Sequence, residues 1–84
     1  MHIKILGKGC RNCQKVEEIA RQAVAEAGAN ATFEKVKDVD EIRKYPIVYT
    51  PGLVINDELV CAARIPSLSE VAEWVRLAMA EEAQ

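Results

Sequence analysis

Apolar positions recur along this chain with two different periods. Residues 2–6 alternate and extend like a buried strand, with Ile3, Ile5 and Leu6 as its apolar members. From Arg11 to Ala27 the interval becomes helical: Val16, Ile19, Ala20, Ala23, Val24 and Ala27 form one stripe. Lys15, Glu17, Glu18, Arg21, Gln22 and Glu26 fill the opposite, solvated face, with Glu17 and Arg21 spaced as an i,i+4 pair. Gly28 stops this helix.

Ala31 to Val36 reads as a second strand, with Phe33 its clearest core position. Asp38-Val39-Asp40-Glu41 carries a capping signal for a short helix that contains Ile42 and Tyr45 and is ended by Pro46. Gly52-Leu53-Val54-Ile55 and Leu59-Val60-Cys61-Ala62 flank the polar Asn56-Asp57-Glu58 as an antiparallel hairpin, which Pro66 closes. Ser67-Leu68-Ser69-Glu70 is a capping box for a last helix that packs through Leu68, Val71, Ala72, Val75, Ala78 and Met79. Trp74 beside that stripe reads as partly buried packing, and Glu81-Glu82-Ala83-Gln84 as a fraying tail.

The predicted order is β-α-β-α-β-β-α. Two parallel strands joined through a helix and followed by a hairpin on the same sheet give an α/β fold. The expected architecture is a four-stranded mixed sheet flanked by three helices in three layers. With 84 residues the chain holds one small domain, residues 1–84, and no large substrate cavity.

Composition narrows the function. Half of the residues are hydrophobic, so the chain is globular, and a net charge of -2 with few aromatic residues supplies no field or stacking platform for nucleic acid. The N-terminal apolar stretch is too short for a signal peptide, and no apolar run of about 18 residues is present. The expectation is a soluble, cytoplasmic protein without a membrane partner. Three cysteines are too few for a structural disulfide framework.

Two of them form Cys10-Arg11-Asn12-Cys13, where the first strand and the turn at Gly7 and Gly9 meet the first helix. Residues three apart at a helix start lie about 5–6 Å from one another, within reach of a disulfide. Cys13 continues the stripe of Val16, Ala20 and Ala23 and should be buried; Cys10 precedes the helix and should be reachable. Helix N-terminal amides favour a thiolate, and Lys8 and Arg11 add positive charge, so the Cys10 pKa is expected below its ordinary value. Cys10 would attack a substrate disulfide and Cys13 would resolve the mixed disulfide.

The same thiols also suit a soft metal such as Cu(I) or a metalloid, with or without Cys61. Copper chaperones carry Met two residues before the first cysteine, where this chain has Lys8. Cys61 reads as a small buried hydrophobe, although the hairpin brings it opposite residues 52 to 54. His2, the only histidine, starts the first strand and falls at the opposite edge of the sheet, which argues against a Cys-His hydrolytic pair.

Gly9-Cys10-Arg11-Asn12-Cys13 after the first strand and Thr50-Pro51-Gly52-Leu53 before the third resemble the thioredoxin-fold superfamily. The likeness is to its small thioredoxin-like and glutaredoxin-like redox-active disulfide proteins of bacteria and archaea, and it covers essentially the whole chain. It implies a minimal thioredoxin fold and a thiol-disulfide oxidoreductase or electron carrier that requires neither an organic cofactor nor a metal. Its implied partners are a disulfide-containing protein or small molecule and an unidentified reductase, with the protein itself a monomer.

The resemblance also implies that Pro51 is cis and lies against the dithiol, and that Thr50, Pro51 and Tyr49 contact substrate. Arg11 and Asn12 complete the expected substrate-binding set, and Tyr49 equally fits a half-buried loop aromatic. Arg11-Asn12 stands where conventional thioredoxins carry Gly-Pro, and no acidic residue lies on the first strand. Residues 63–67 lack the Gly-rich, Asp-bearing stretch with which glutaredoxins hold glutathione.

Overall fold

The computed structural model describes residues 1–83. The elements are β1 (His2–Leu6), α1 (Arg11–Ala27), β2 (Thr32–Val36), α2 (Val39–Ile42), β3 (Gly52–Ile55), β4 (Glu58–Ala62) and α3 (Leu68–Glu82). The sheet order is β2-β1-β3-β4, with β1 parallel to β2 and antiparallel to β3, and β3 antiparallel to β4. This is the mixed four-stranded sheet with three helices expected from the apolar pattern.

The central strands are buried on both faces, as strands covered by helices must be. Ile3 and Ile5 of β1 and Leu53 and Ile55 of β3 pack with Val16, Ala20 and Ala23 of α1 and Val71 and Val75 of α3. Leu6 and Val54 point the other way, toward Val36, Ile42, Tyr45 and Ile47. α1 and α3 therefore share one face, and α2 with the segment after it covers the second.

Local chemistry sets the ends of these elements. Gly28 closes α1 at φ 68, the left-handed conformation that glycine adopts without a Cβ penalty. Asn56 and Asp57, at φ 49 and 67, form the two-residue turn between β3 and β4. Ser67 and Glu70 form the capping box of α3, and Arg64 grips the Glu70 carboxylate with two donors at 3.0 and 2.7 Å.

Four expectations are corrected. α2 ends at Ile42, because the Lys44 and Tyr45 amides bond to Glu41 and Ile42 as i→i−3 turns and the residue before Pro46 is disfavoured in a helix. Tyr45 lies beyond the helix, its hydroxyl accepting from Lys4 Nζ at 3.1 Å. Phe33 is only partly buried on an edge strand, where the Arg21 guanidinium stacks 4.3 Å from its ring centroid, and Val36 is the buried residue of β2. Glu81 and Glu82 belong to α3 rather than to a frayed tail; Gln84 of that predicted tail is outside the described residues. No helix among the described residues is long and apolar enough to cross a membrane.

Candidate active site

The parallel pair β1 and β2 delivers the chain to the dithiol. After Leu6, the Gly7 amide donates to Val36 O at 2.9 Å, which prolongs the β1–β2 ladder by one residue. Gly7 then takes φ 153 and Gly9 φ 82, and the chain turns into α1 at Cys10. A Cβ on Gly7 would collide with Cys13 Sγ, so glycine at this position creates the space in which the inner thiol sits.

Cys10 is itself the N-cap of α1. Its sulfur accepts the Cys13 N–H at 3.4 Å, and its carbonyl accepts the first helical bond, from Gln14 N, at 3.0 Å. Cys10 Sγ and Cys13 Sγ lie 2.9 Å apart as free thiols. Cys10 is exposed and Cys13 is 4% exposed, the asymmetry that their places in the helical stripe predict.

That asymmetry is also electrostatic. Cys10 titrates below its ordinary value, first because the Cys13 thiol donates to it and then because backbone amides at the helix start do. Cys13 is pushed up, mainly by burial and then by its bond to Cys10. The hydrogen bonds to Cys10 outrank the charges of Lys8 and Arg11 that were expected to assist. The thiolate is stabilised by hydrogen bonds at the helix N-terminus.

The Thr50–Pro51 peptide is cis, and the Thr50 side chain reaches the same space over Gly7: a Cβ there would lie 3.6 Å from Thr50 Cβ. Pro51 is buried and Thr50 exposed. Pro51 O accepts the Ala63 amide at 2.9 Å, which ties this loop to the end of β4. Arg11 and Asn12 are exposed on the first turn of α1. Tyr49 is 72% exposed, not half-buried, and Val48 beside it is 84% exposed.

Cys61 pairs with Leu53, as the hairpin reading places it, but its thiol turns into the core toward Arg64 O at 3.8 Å. Burial pushes its pKa up. No group of three or more His, Cys, Asp or Glu residues that could hold a metal ion forms among the described residues, so the three-thiol version of the metal site is not assembled. His2 is at the far end of β1, with its ring against Thr32 and Glu34.

Sequence reasoning missed a cleft of about 100 Å³ behind the inner thiol, lined by Gly7, Gly9, Cys13, Glu17, Lys35 and Lys37 among others. Glu17 holds both Arg21 and Lys35 there, at 3.0 and 3.1 Å, and its carboxylate is 15% exposed rather than solvated. Burial raises its pKa, but the hydrogen bonds from Arg21 and Lys35 outweigh that and leave it below the ordinary value. The missing signal was strand register: Leu6↔Val36 in the parallel pair sets Lys37 beside the Gly7–Gly9 turn.

Comparison with known proteins agrees with this geometry. A family model described as a thioredoxin domain matches residues 1–76. A curated relative named thioredoxin, from Methanothermobacter thermautotrophicus, is 44% identical over 71 residues, which cover 84% of this chain and 92% of the relative. Another thioredoxin, from Methanocaldococcus jannaschii, is 41% identical over 74 residues, or 88% of this chain and 85% of the relative.

Proposed function

The chain belongs to the thioredoxin domain family, and from that membership we propose how its residues carry out the family's thiol-disulfide exchange. The protein is a thiol-disulfide oxidoreductase that acts on disulfide-containing substrates and is returned to its dithiol by a reductase. Cys10 is the attacking thiol and Cys13 the resolving thiol. The observation that carries this assignment is one exposed sulfur with a lowered pKa, 2.9 Å from a buried one whose pKa is raised.

The Cys10 thiolate attacks one sulfur of the substrate disulfide, which forms a mixed disulfide and releases the first substrate thiolate, to be protonated from water. Cys13 then loses its proton and attacks the Cys10 sulfur. This forms the Cys10–Cys13 disulfide and releases the second substrate thiolate. Overall two protein thiols give up two electrons and two protons, and the substrate disulfide gains both as two thiols. The reductase supplies the two electrons that reset the pair.

Thr50 and Pro51 form the wall that faces the mixed disulfide, with Tyr49, Arg11 and Asn12 at its rim. The chain works as a single domain and as a monomer, in the cytoplasm, where the reducing poise suits a dithiol carrier. The direct test is reduction of a protein disulfide by the pre-reduced protein. Cys10→Ser is expected to abolish it, and Cys13→Ser to stop at a covalent mixed disulfide that retains its target. Turnover that survives Cys10→Ser would overturn the assignment.

A further inference from the structure

Matching cations to anions leaves an uneven remainder. Of the eleven Lys and Arg residues, Arg21, Lys35, Lys44, Arg64 and Arg76 form ion pairs, and Lys4 donates to Tyr45. Lys8, Arg11, Lys15, Lys37 and Arg43 have no acidic partner among the described residues.

All five belong to the end of the sheet that carries the dithiol. Lys8 lies in the turn before Cys10, and Arg11 and Lys15 are in the first turns of α1. Lys37 follows β2, and its Nζ approaches within 3.7 Å of where a Cβ on Gly9 would stand. Arg43 caps α2. At the opposite end are Asp57 and Glu58 of the β3–β4 turn and Glu81 and Glu82 of α3, with Glu82 hydrogen-bonded to Asn56 at 2.6 Å. Among the acids near the dithiol, Glu17 behind Cys13 holds Arg21 and Lys35, Glu41 holds Lys44, and only Asp38, which accepts the Asp40 N–H, and Asp40 have no cationic partner among the described residues. A chain of net charge -2 therefore presents a positive face around its reactive sulfur.

Beside Lys8, in the turn that leads into Cys10, runs a cleft of about 350 Å³, lined in part by Lys8, Arg43, Ile47, Val48, Tyr49 and Thr50 and, among the described residues, by no acidic one. Val48 and Tyr49 are the two most exposed large apolar side chains among the described residues, an adjoining pair at the cleft wall. Lys8 and Thr50 both line this cleft and adjoin the dithiol turn, so an extended backbone lying in the cleft can carry a disulfide to Cys10.

We propose that this surface selects, as substrate of the dithiol, an extended polypeptide whose disulfide cysteine is flanked by an acidic and an apolar side chain. The apolar side chain covers Val48 and Tyr49, and the carboxylate meets Lys8 and Arg43 within the field of Arg11 and Lys37. A lysine-flanked disulfide brings like charge to the same place, which slows encounter and weakens docking. This inference rests on the oxidoreductase reading above.

The test uses two peptides, each closed by one disulfide with a leucine neighbour, that differ only in Glu or Lys beside the cysteine. Pre-reduced protein is mixed with each at about 0.02 M and about 0.5 M ionic strength, where the screening length is roughly 20 and roughly 4 Å. The acidic peptide is expected to react about tenfold faster at low salt, falling to within about twofold at high salt. Lys37→Glu/Arg43→Glu is expected to abolish or invert that preference. Equal rates for the two peptides at low salt overturn the charge selection while leaving the oxidoreductase reading intact. Oxidised glutathione, acidic but without an apolar side chain, is expected to react more slowly than the acidic peptide, and an equal rate overturns the role of the apolar cleft. If neither peptide is reduced, both readings fall together.

Discussion

Gly7→Ala would set a methyl group against the buried sulfur of Cys13. Two costs add at this position. The backbone stands at φ 153, which side-chain-bearing residues rarely adopt, at about 1–3 kcal/mol. The added carbon also collides with Cys13 Sγ, and accommodating such overpacking costs about 1–3 kcal/mol more. Gly28→Ala separates the two, because Gly28 also has a positive φ, 68, but among the described residues nothing lies within 4 Å of its added Cβ.

Gly28→Ala is therefore expected to lose about 1 kcal/mol, the left-handed cost alone. Gly7→Ala is expected to lose at least about 1 kcal/mol beyond that. Against a typical stability of about 5–15 kcal/mol, its denaturation midpoint should fall visibly. The assay is urea unfolding under reducing conditions, paired with the rate at which each variant reduces a protein disulfide. Gly7→Ala should slow turnover because Cys13 must shift to admit the methyl, whereas Gly28→Ala, at the far end of α1, should not. Equal stability losses in the two variants, or undiminished turnover in Gly7→Ala, would refute the steric reasoning.

Three further outcomes follow from the site and its surroundings. In Cys13→Ala the Cys10 pKa should rise, since the largest cause of its lowering is the Cys13 thiol; alkylation rate against pH reads it, and an unchanged or lower pKa would contradict the assignment. In the native reduced protein, Cys10 should be alkylated well before Cys61, which is 7% exposed with a raised pKa; mass mapping that finds early Cys61 modification would contradict its place in the core. Arg64 and the Ser67 amide hold the Glu70 carboxyl down at about 2, from 4.5, so the stability it contributes is complete above about pH 4.5 and is lost as pH falls toward 2. Glu70→Gln should flatten that acid limb slightly, the group being exposed, and a pH profile identical to the wild type would count against the pairing.

Much of the fold was legible because burial here follows local period. The stripe from Cys13 to Ala27 fixed both ends of α1, and the apolar runs flanking Asn56-Asp57 located the hairpin. The two thiols were legible for the same reason, since Cys13 shares the buried stripe and Cys10 precedes it. The expectations that failed depend on what other elements cover. Phe33 has the composition of a core residue but lies on an edge strand under Arg21, and Tyr49 belongs to a loop whose exposure no periodicity encodes. The clustering of Lys8, Lys37 and Arg43 is set by parallel register and by the path after α2, which unite residues far apart in sequence.

The central claim is that Cys10 and Cys13 form one reversible dithiol-disulfide couple. Equilibrating the protein across a series of thiol-disulfide redox buffers with a chelator present, and counting free thiols at each step, tests it most directly. The expected result is a single two-electron transition that disappears in Cys10→Ser and persists in Cys61→Ser. No reversible disulfide at accessible potentials, or a transition that survives Cys10→Ser, would contradict it.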